Sequence, residues 1–531
     1  MPLKAFFWVL LFAAAVLGAS YEDWQHRSIY QLVTDRFATS DGSAPACDTS
    51  ARQYCNGTWQ GVISRLDYIQ SMGFDAIWIS PVVANLEGDT GDGTAYHGYW
   101  TIDQTSLNEH FGTDGDLQLL STTLHQRGML LMVDVVVNHM AAPLLSAAAT
   151  NASAPAVNYT AFTPFNNQSS FHPFCWITDY ANQTDVEQCW LGDAAVPLAD
   201  VDTEDPDVVA FFNGWIADLV KTYGIDGLRI DTVKHIRKDF WPAFAQSAGV
   251  WSIGEVLDGD IAYVANYTQV LDAVLDYPNF YPLTRGFQNS SGDLSQLAAS
   301  VREEQQAYRL GTFMTGAFLE NQDNPRFASL TTDQSDGVPI LYYGQEQGYA
   351  GGDDPYNREA LWLSGYEEDK PLVMHVRVLN AARKAAIAWN NASFLSTPLD
   401  FPVASTSQLA VSKSPLLALL ANTGQSSSPS WSVPSTNYTK GEELIDVLSC
   451  VTTKVGSAGA VAWTGSSGMP AVLLPTSVFN ASYCNTLKGD VSGNAGSPWV
   501  AQSSGRGLGL SVAGALVATA FTIWSLATWA L

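Results

Sequence analysis

Eight short runs of apolar and β-branched residues, separated by longer amphipathic stretches, place the strongest constraint on the fold of this chain. The runs are continuously apolar rather than alternating, as expected of strands buried on both faces of a sheet. Eight such strands with helical segments between them are typical of a closed parallel sheet. The pattern predicts an α/β fold, a (β/α)8 TIM barrel, with strands at 29–37, 75–82, 128–137, 226–231, 250–256, 273–278, 311–320 and 338–344.

Two regions depart from this repeat. Residues 139–202 are too long for a βα loop and carry four N-x-[ST] sequons and one cysteine pair, so we predict an inserted lobe after strand 3. After residue 395 the helical periodicity fades, and short alternating stretches lie between Ser, Gly and Pro turns. We therefore predict a barrel at 21–395 and a C-terminal antiparallel β domain, a β-sandwich, at 396–487.

The two ends of the chain predict export and anchoring at the cell surface. Residues 1–20 combine one lysine, an apolar run and small residues, which is typical of a cleaved signal peptide. A linker at 488–507 with a small-residue site and an apolar tail at 508–531 predict glycosylphosphatidylinositol (GPI) attachment, with Asn494 as the attachment residue. The alternative is a tail-anchoring helix, since such a tail can cross a bilayer. On the GPI interpretation, the chain meets the membrane only through its lipid.

The amino-acid composition restricts the classes of ligand that this protein can bind. The net charge is −27, with 52 acidic against 25 basic residues, which argues against nucleic acid and anionic membrane surfaces as ligands. The 17 tryptophans favour a cleft that binds sugar, although a large core is the alternative explanation. We predict a monomer that acts on a carbohydrate at the cell surface or in the cell wall.

Six cysteines form three pairs that are close in sequence. An even number in an exported chain predicts disulfides, and fifteen connectivities are open. Pairing of neighbours is the simplest of them. The pairs are Cys47 and Cys55, Cys175 and Cys189, and Cys450 and Cys484.

Three carboxylates stand where predicted strands end. Asp231 ends GLRID, Glu255 lies in WSIGEV and Asp323 follows FLENQ. Barrel enzymes place their reactive groups at the C-terminal ends of strands, and glycoside hydrolysis needs two carboxylates beside the bond that breaks. A third would hold sugar hydroxyls. Any one of them could instead cap a helix.

These acids lie in segments that resemble the four signature segments of the α-amylase family, glycoside hydrolase family 13: DVVVNH at 134–139, GLRIDTVKH at 227–235, GEV at 254–256 and FLENQDNPR at 318–326. Flanking stretches at 95–100, 171–175, 189–193 and 344–366 are similar to secreted fungal α-amylases of the Taka-amylase type and their GPI-anchored relatives. The resemblance covers about residues 21–487. It implies a barrel with an inserted lobe and a C-terminal β domain, and retaining cleavage of α-1,4-glucan or malto-oligosaccharide.

The resemblance also implies roles for residues. Asp231 would be the nucleophile, Glu255 the acid/base, and Asp323 would bind the sugar at the point of cleavage. Arg229 would keep Asp231 ionised by charge pairing. The remaining residues implied to bind substrate are His97, Tyr99, Trp100, His139, Lys234, His235, Gln322, Asp354 and Arg358. A Ca²⁺ ion would be held by oxygen atoms of Asn138, Glu187 and Asp200 and by the backbone carbonyl of His235.

Two departures from the family pattern are visible. The fourth segment reads NQD where the family usually has NHD, so Gln322 can donate a neutral hydrogen bond but cannot be cationic. This predicts weakened hydrolysis. The connection from Ala328 to Gly337 offers only ten residues, whereas a helical crossover needs at least about 10–12. Either the seventh barrel helix is missing or the sequence derives from an imperfect gene model.

Three functions remain open from the sequence. The first is α-amylase-type endo-hydrolysis of starch-like or cell-wall α-glucan. The second is transfer by a 4-α-glucanotransferase that remodels wall α-glucan, in which a sugar hydroxyl replaces water in the second step. The third is a catalytically weak glucan-binding wall protein. The intact trio of Asp231, Glu255 and Asp323 favours an enzyme.

Overall fold

The computed structural model describes residues 19–144, 155–313, 315–330, 340–424, 427–466, 468–482 and 484. Residues 1–18 of the predicted signal peptide, the predicted linker at 488–507 with Asn494, and the predicted tail at 508–531 lie outside the described residues. Within the described part of the chain, no helix combines the length and apolarity needed to span a membrane. The anchoring predictions therefore stay predictions.

A parallel sheet of eight strands forms the centre of the molecule and confirms the predicted barrel fold. Neighbouring strands pair in parallel in chain order, and the eighth strand returns to pair with the first through Ile29 and Ile340. Nearly all strand residues are buried, which is why their sequences read as continuous apolar runs. The strands, labelled β1 to β8, are Ile29–Gln31, Ala76–Ile79, Leu130–Val135, Gly227–Ile230, Trp251–Gly254, Ala273–Leu275, Thr315–Gly316 and Ile340–Tyr342.

Helices follow the strands and cover the outside of the sheet. The helix at Pro206–Tyr223 has the residues expected at helix ends. Asp205 caps its first turn, Pro206 is its first residue, and Gly224 ends it with φ 61°. Its buried face packs on the barrel. The α-helices of the barrel region are Tyr21–Gln25, Thr34–Phe37, Trp59–Ser64, Leu66–Ser71, Asp114–Gln126, Pro206–Tyr223, Trp241–Ala248, Ile261–Ala265, Tyr277–Phe287, Leu294–Ala307, Phe327–Leu330, Pro371–Trp389 and Asn391–Ser396.

The seventh strand is the weakest part of the barrel. The predicted strand at 311–320 is realised in the barrel sheet only as Thr315–Gly316, with a separate short strand at Arg309–Thr312. Among the described residues, β7 and β8 share one backbone hydrogen bond, from the Ile340 N–H to the Ala317 carbonyl at 3.4 Å. Most of the short connection after Ala328 falls at 331–339, outside the described residues.

The segment after β3 contains a small three-stranded antiparallel sheet and a helix. The strands are His139–Ala141, Leu191–Gly192 and Pro197–Asp200, and the helix is Gln183–Gln188. This helix packs against the short 3₁₀ turn Val233–His235 that follows β4, so the segment reaches the C-terminal edge of the barrel. The structure thus contains the inserted lobe, and its predicted limits at 139 and 202 stay predictions.

The C-terminal region is an antiparallel β domain, as predicted. A six-stranded sheet and a two-stranded sheet enclose a separate apolar cluster. The 395/396 limit stays a prediction, flanked by Asn391–Ser396 and Asp400–Ala404. The strands, labelled β9 to β16, are Asp400–Ala404, Gln408–Lys413, Leu416–Ala421, Ser430–Val433, Glu443–Asp446, Thr452–Lys454, Val461–Thr464 and Ala471–Pro475.

Neighbour pairing of the cysteines is confirmed. The three disulfides join Cys47 to Cys55, Cys175 to Cys189, and Cys450 to Cys484. The second lies in the inserted lobe and the third in the β domain. Each closes a short loop, which restricts the unfolded chain and stabilises the local fold.

Candidate active site

A cleft of about 660 Å³ opens over the C-terminal ends of the barrel strands. It is lined by residues from several strand ends and from the inserted lobe. All three predicted catalytic carboxylates border it, together with the predicted substrate residues His97, Tyr99, Trp100, His139, Lys234, His235, Asp354 and Arg358. Gln322 and Arg229 are buried beneath this surface. The structure therefore brings residues from across 260 positions of the chain into one concave site.

The Arg229 guanidinium is the electrostatic centre of the cleft floor. It is fully buried on β4 and lies 2.7 Å from Asp231 Oδ1 and 2.9 Å from Glu255 Oε1. It also contacts Asp134 Oδ1 at 2.9 Å from β3. One cation thus faces three buried carboxylates, and the two predicted reacting groups are held on the same guanidinium.

Burial raises the pKa of the Asp231 carboxyl, and the nearby Arg229 guanidinium opposes that rise. The neighbouring carboxylates Glu255 and Asp134 push the pKa of Asp231 upward again. The pKa of Asp134 is raised to about 6, chiefly by burial. Arg229 is therefore what favours ionised Asp231 in a site that otherwise disfavours negative charge.

Two hydrogen-bond donors reach the Glu255 carboxylate, one of them from the backbone after β4. Thr232 follows Asp231 with φ 49°, a left-handed conformation that costs a β-branched residue about 1–3 kcal/mol. Its N–H donates to Glu255 Oε2 at 3.0 Å, and the Tyr277 hydroxyl donates to Glu255 Oε1 at 3.3 Å. Gly254 precedes Glu255, and a Cβ there would meet Leu271 at 2.5 Å. A side chain at this position would require the Leu271 and Val233 side chains to move.

Asp323 approaches from the other side of the cleft. Its side chain is 36% exposed, so it can reach a ligand, and Arg358 Nη2 lies 3.6 Å from its Oδ1. The Asn321 side chain accepts the Asp323 N–H at 2.9 Å and fixes the turn. Arg358 also pairs with Asp354 at 3.0 Å, which links two of the predicted substrate residues.

Two histidines in the cleft are neutral donors or acceptors rather than cations. Burial lowers the pKa of His139 to about 4 and the pKa of His97 well below its usual range. His97 Nδ1 accepts the backbone N–H of Tyr99 at 3.0 Å, so its Nε2–H is available to a ligand. His139 Nε2 lies 3.2 Å from the Tyr99 carbonyl oxygen.

Gln322 is built into a hydrogen-bonded chain beneath the cleft. Its Nε2 donates to the Tyr99 hydroxyl at 2.8 Å, and its Oε1 accepts from Gln31 Nε2 at 2.5 Å. The Tyr99 hydroxyl donates to Asp134 Oδ2 at 2.6 Å. The Gln322 side-chain amide therefore uses one N–H and one acceptor site of its oxygen, which leaves one N–H free to donate.

Lys234 and His235 sit at the end of the cleft beside the lobe. Lys234 Nζ donates to the Leu257 carbonyl at 2.6 Å and lies 5.2 Å from the centre of the Tyr180 ring. His235 Nδ1 lies 3.1 Å from the Val186 carbonyl, and burial lowers the pKa of His235 to about 3. Its ring is therefore neutral, and the lobe helix packs directly on this part of the cleft.

The predicted metal ligands form two neighbouring pairs. Asn138 precedes the strand residue His139, which pairs with Asp200, and the Asn138 carbonyl accepts the Val201 N–H. Glu187 Oε1 accepts from Gln183 Nε2, which also donates to the Lys234 carbonyl next to His235. Asp200 Oδ1 is buried and has no hydrogen-bond partner among the described residues. An unpaired buried carboxylate oxygen suits a cation.

Several residues at the site were missed from the sequence. Asp134 lies inside a buried strand, where only its charge marks it, and Gln31 carries no motif at all. A second potential metal group is formed by His172, Asp202 and Glu204, whose ligand atoms lie within 4.8 Å of one another. His172 Nδ1 also pairs with Asp200 at 2.6 Å, so this group adjoins the predicted calcium ligands. The spacing of HPFC and DVDTE does not reveal that contact.

Comparison with known proteins agrees with this geometry. The family model described as "Alpha amylase, catalytic domain" matches residues 31–396, and "Alpha-amylase, domain C" matches 403–492. Alpha-amylase 2 of Schwanniomyces occidentalis is 44% identical over 480 residues, which cover 87% of this chain and 92% of that protein.

Two solved structures are also similar. The α-amylase of Malbranchea cinnamomea has a TM-score of 0.83 at 44% identity and covers 88% of this chain and 100% of its own. The α-amylase of Geobacillus thermoleovorans, solved with acarbose, has a TM-score of 0.70 at 25% identity. The match covers 85% of this chain and 98% of that chain. The agreement extends from the barrel through the C-terminal β domain.

Proposed function

Because this chain belongs to the α-amylase family, a family of α-1,4-glucan hydrolases, we propose that it hydrolyses internal α-1,4 bonds with retention, using Asp231 and Glu255. The observation that carries this proposal is the shared contact of both carboxylates with buried Arg229 inside one cleft. Retaining enzymes need two carboxyl groups only about 5–5.5 Å apart, and one guanidinium holding both is consistent with that spacing.

The proposed reaction has two steps, formation of a glycosyl intermediate on Asp231 and its hydrolysis by water. Asp231 attacks the anomeric carbon while the bond to the leaving glucose oxygen breaks, and Glu255 gives its proton to that oxygen. Water then gives a proton to Glu255 and adds its oxygen to the anomeric carbon, which releases Asp231. Asp323 and the His97 Nε2–H bind hydroxyls of the sugar at the point of cleavage. Arg229 stabilises the carboxylate each time Asp231 departs.

The product profile from maltoheptaose tests this function. We expect purified protein with millimolar Ca²⁺ to give only shorter sugars, because water is the acceptor in the second step. Products longer than heptaose would instead identify a 4-α-glucanotransferase. If folded protein turns over no maltoheptaose, hydrolysis and transfer are both contradicted, and a glucan-binding wall protein is the remaining function.

One observation favours the transferase as a second candidate. Gln322 is bonded to Gln31 through its side-chain oxygen and to Tyr99 through one N–H, so only one side-chain N–H is left to donate to a sugar. Weaker stabilisation of the water step leaves more time for a sugar acceptor. We expect Gln322→His to raise the ratio of hydrolysis to transfer about tenfold, the equivalent of 1.36 kcal/mol. Gln322→Ala is the matched control, and an equal ratio in both variants would rule out this role.

Calcium is a further part of the proposal. Members of the family typically bind it, and Asn138, Glu187, Asp200 and the His235 carbonyl would hold it through oxygen atoms. The unpartnered Asp200 Oδ1 fits a divalent cation. Bound calcium would tie the lobe to the barrel beside Lys234 and His235.

Calcium removal should therefore destabilise the protein. Binding at 100 times the dissociation constant adds about 2.7 kcal/mol, so EDTA should lower Tm clearly in the native protein. Asp200→Asn should show a much smaller EDTA effect, measured by differential scanning calorimetry. Asp239→Asn, at an exposed surface ion pair, is the control. An undiminished EDTA effect in the Asp200 variant would contradict this ligand assignment.

We also propose that the protein acts outside the cell, anchored through Asn494 at the surface or in the wall. The three disulfides suit an oxidising compartment. Release of activity from intact cells by a phospholipase that cleaves GPI, and its loss in an Asn494→Leu variant, would support the anchor. Activity that stays with the cells after such cleavage would contradict it.

A further inference from the structure

A second cavity lies at the opposite end of the barrel from the cleft. It holds about 80 Å³ and is bordered by Ile29, Trp251, Thr315 and Ile340, each at the first position of a barrel strand. The N-terminal ends of strands in barrel enzymes serve stability rather than chemistry. Nothing in the proposed reaction uses this cavity.

The cavity is lined by cations and by no carboxylate among its described residues. Arg27, Arg383 and Lys413 all border it. This is unusual in a chain whose net charge is −27. The three come from separate parts of the molecule: the segment before β1, the helix Pro371–Trp389 and the β10 strand of the C-terminal domain.

Lys413 has no counter-charge in the described structure. Its side chain is 3% exposed, and its ammonium lies 5.1 Å from the Phe313 ring centre and 5.3 Å from the Phe394 ring centre. No hydrogen-bond acceptor and no carboxylate within ion-pair distance of this ammonium is found among the described residues. Burial lowers the pKa of Lys413 well below its usual range, and nearby Arg383 lowers it further.

Arg383 is bonded mainly to neutral groups, and the one carboxylate that acts on it, Asp75, does not border the cavity. Its Nη1 and Nη2 donate to the backbone carbonyls of His26 and Gln25, at 2.7 and 2.6 Å, which are neutral acceptors. Its Nε has no partner in the described chain, nor do Arg27 Nε and Trp251 Nε1. Burial lowers the pKa of Arg383 to about 10. Buried donors and charges without partners are costly, and no carboxylate in the described cavity wall offsets them.

We infer that this cavity is an internal anion site that takes one small inorganic anion of halide size, bound chiefly by Lys413 and Arg383. The volume suffices: about 10–15 Å³ of such space holds one water molecule, so 80 Å³ accommodates a small inorganic anion with water beside it. The anion would neutralise charges from the N-terminal segment, the last barrel helix and the C-terminal domain together. It would therefore fasten the β domain to the floor of the barrel beneath β7.

Thermal unfolding of the purified full-length protein at constant ionic strength tests the site. Replacing gluconate, a bulkier anion, by chloride should raise Tm by about 2 °C or more in a saturable manner, because the anion binds only the folded state. Lys413→Met keeps the side-chain length, removes the charge and should abolish the chloride effect. Lys454→Met, at an exposed lysine of the same domain, should retain it.

Crystals of the native protein soaked in bromide provide a test that needs no variant. We expect an anomalous peak in the cavity within contact of Lys413 Nζ. No peak there, or a chloride effect on Tm that is the same in Lys413→Met and in native protein, would overturn the inference. Maltoheptaose hydrolysis has no part in either readout, so failure of the proposed reaction would leave this result intact.

Discussion

Asp231→Asn should reduce the rate of maltoheptaose cleavage by about four orders of magnitude or more, as for other enzymes that lose their nucleophile. The amide cannot form the covalent intermediate, and it also leaves Arg229 with one carboxylate fewer. The folded protein should persist, because an amide oxygen can still accept from the Arg229 Nη1 that now lies 2.7 Å from Oδ1. Initial rates with calorimetric Tm on the same samples check both statements.

The Glu255→Gln variant separates the acid/base role of Glu255 from the nucleophile role of Asp231. This variant should lose cleavage of maltoheptaose to a similar degree but still react once with α-maltosyl fluoride, since fluoride leaves without a proton. The glycosylated Asp231 should then accumulate and be visible as added mass on that residue. Asp239→Asn, at an exposed residue that does not line the cleft, serves as the control for both variants. Accumulation on another residue would reject Asp231 as the nucleophile.

Arg229→Met should have the largest combined effect on stability and activity. The guanidinium is fully buried, and its removal leaves Asp134, Asp231 and Glu255 facing each other without a cation. Breaking a buried pair in this way costs roughly 3–5 kcal/mol. Urea unfolding should show this loss, whereas Asp239→Asn, which weakens only a surface ion pair with Arg237, should change stability by about 1 kcal/mol or less.

The pH dependence gives a readout that a purely structural role would not move. Without the Arg229 cation, burial and the neighbouring carboxylates act alone on Asp231, so the pKa of this carboxyl rises further. The nucleophile must be ionised, and the acid limb of the kcat/KM profile should therefore shift to higher pH. Arg229→Lys should return part of the stability and part of the shift. An unmoved acid limb in a folded Arg229→Met protein would contradict the role assigned to Arg229.

Much of the fold followed from local sequence pattern. Strands buried on both faces must be apolar along their length, so the eight runs were visible without any tertiary information. Strand ends in a parallel barrel converge on one face, which is why Asp231, Glu255 and Asp323 could be placed together from their positions alone. The spacing of the cysteines favoured neighbour pairing for a similar reason, since short loops close at the lowest entropic cost.

The seventh strand shows where local pattern fails. The run at 311–320 was predicted to be one strand, yet only Thr315–Gly316 joins the barrel sheet. Strand length depends on the neighbour that supplies hydrogen bonds, and β8 supplies only one to this strand in the described residues. The short connection after Ala328 was visible in the sequence, but the number of residues that pair in the sheet was not.

Sequence alone determined which backbone segments form the barrel and which carboxylates end its strands, because both follow from periodicity and burial along the chain. Only the tertiary structure decided which side chains share partners. The Gln31–Gln322 pair spans 291 positions, and Lys413 meets Phe313 from another domain. Such contacts depend on how separate elements pack, and a side chain's neighbours across a packed interface leave no periodic mark in the sequence. The roles of Arg229, which faces three carboxylates, and of Lys413, which faces none among the described residues, follow from this packing.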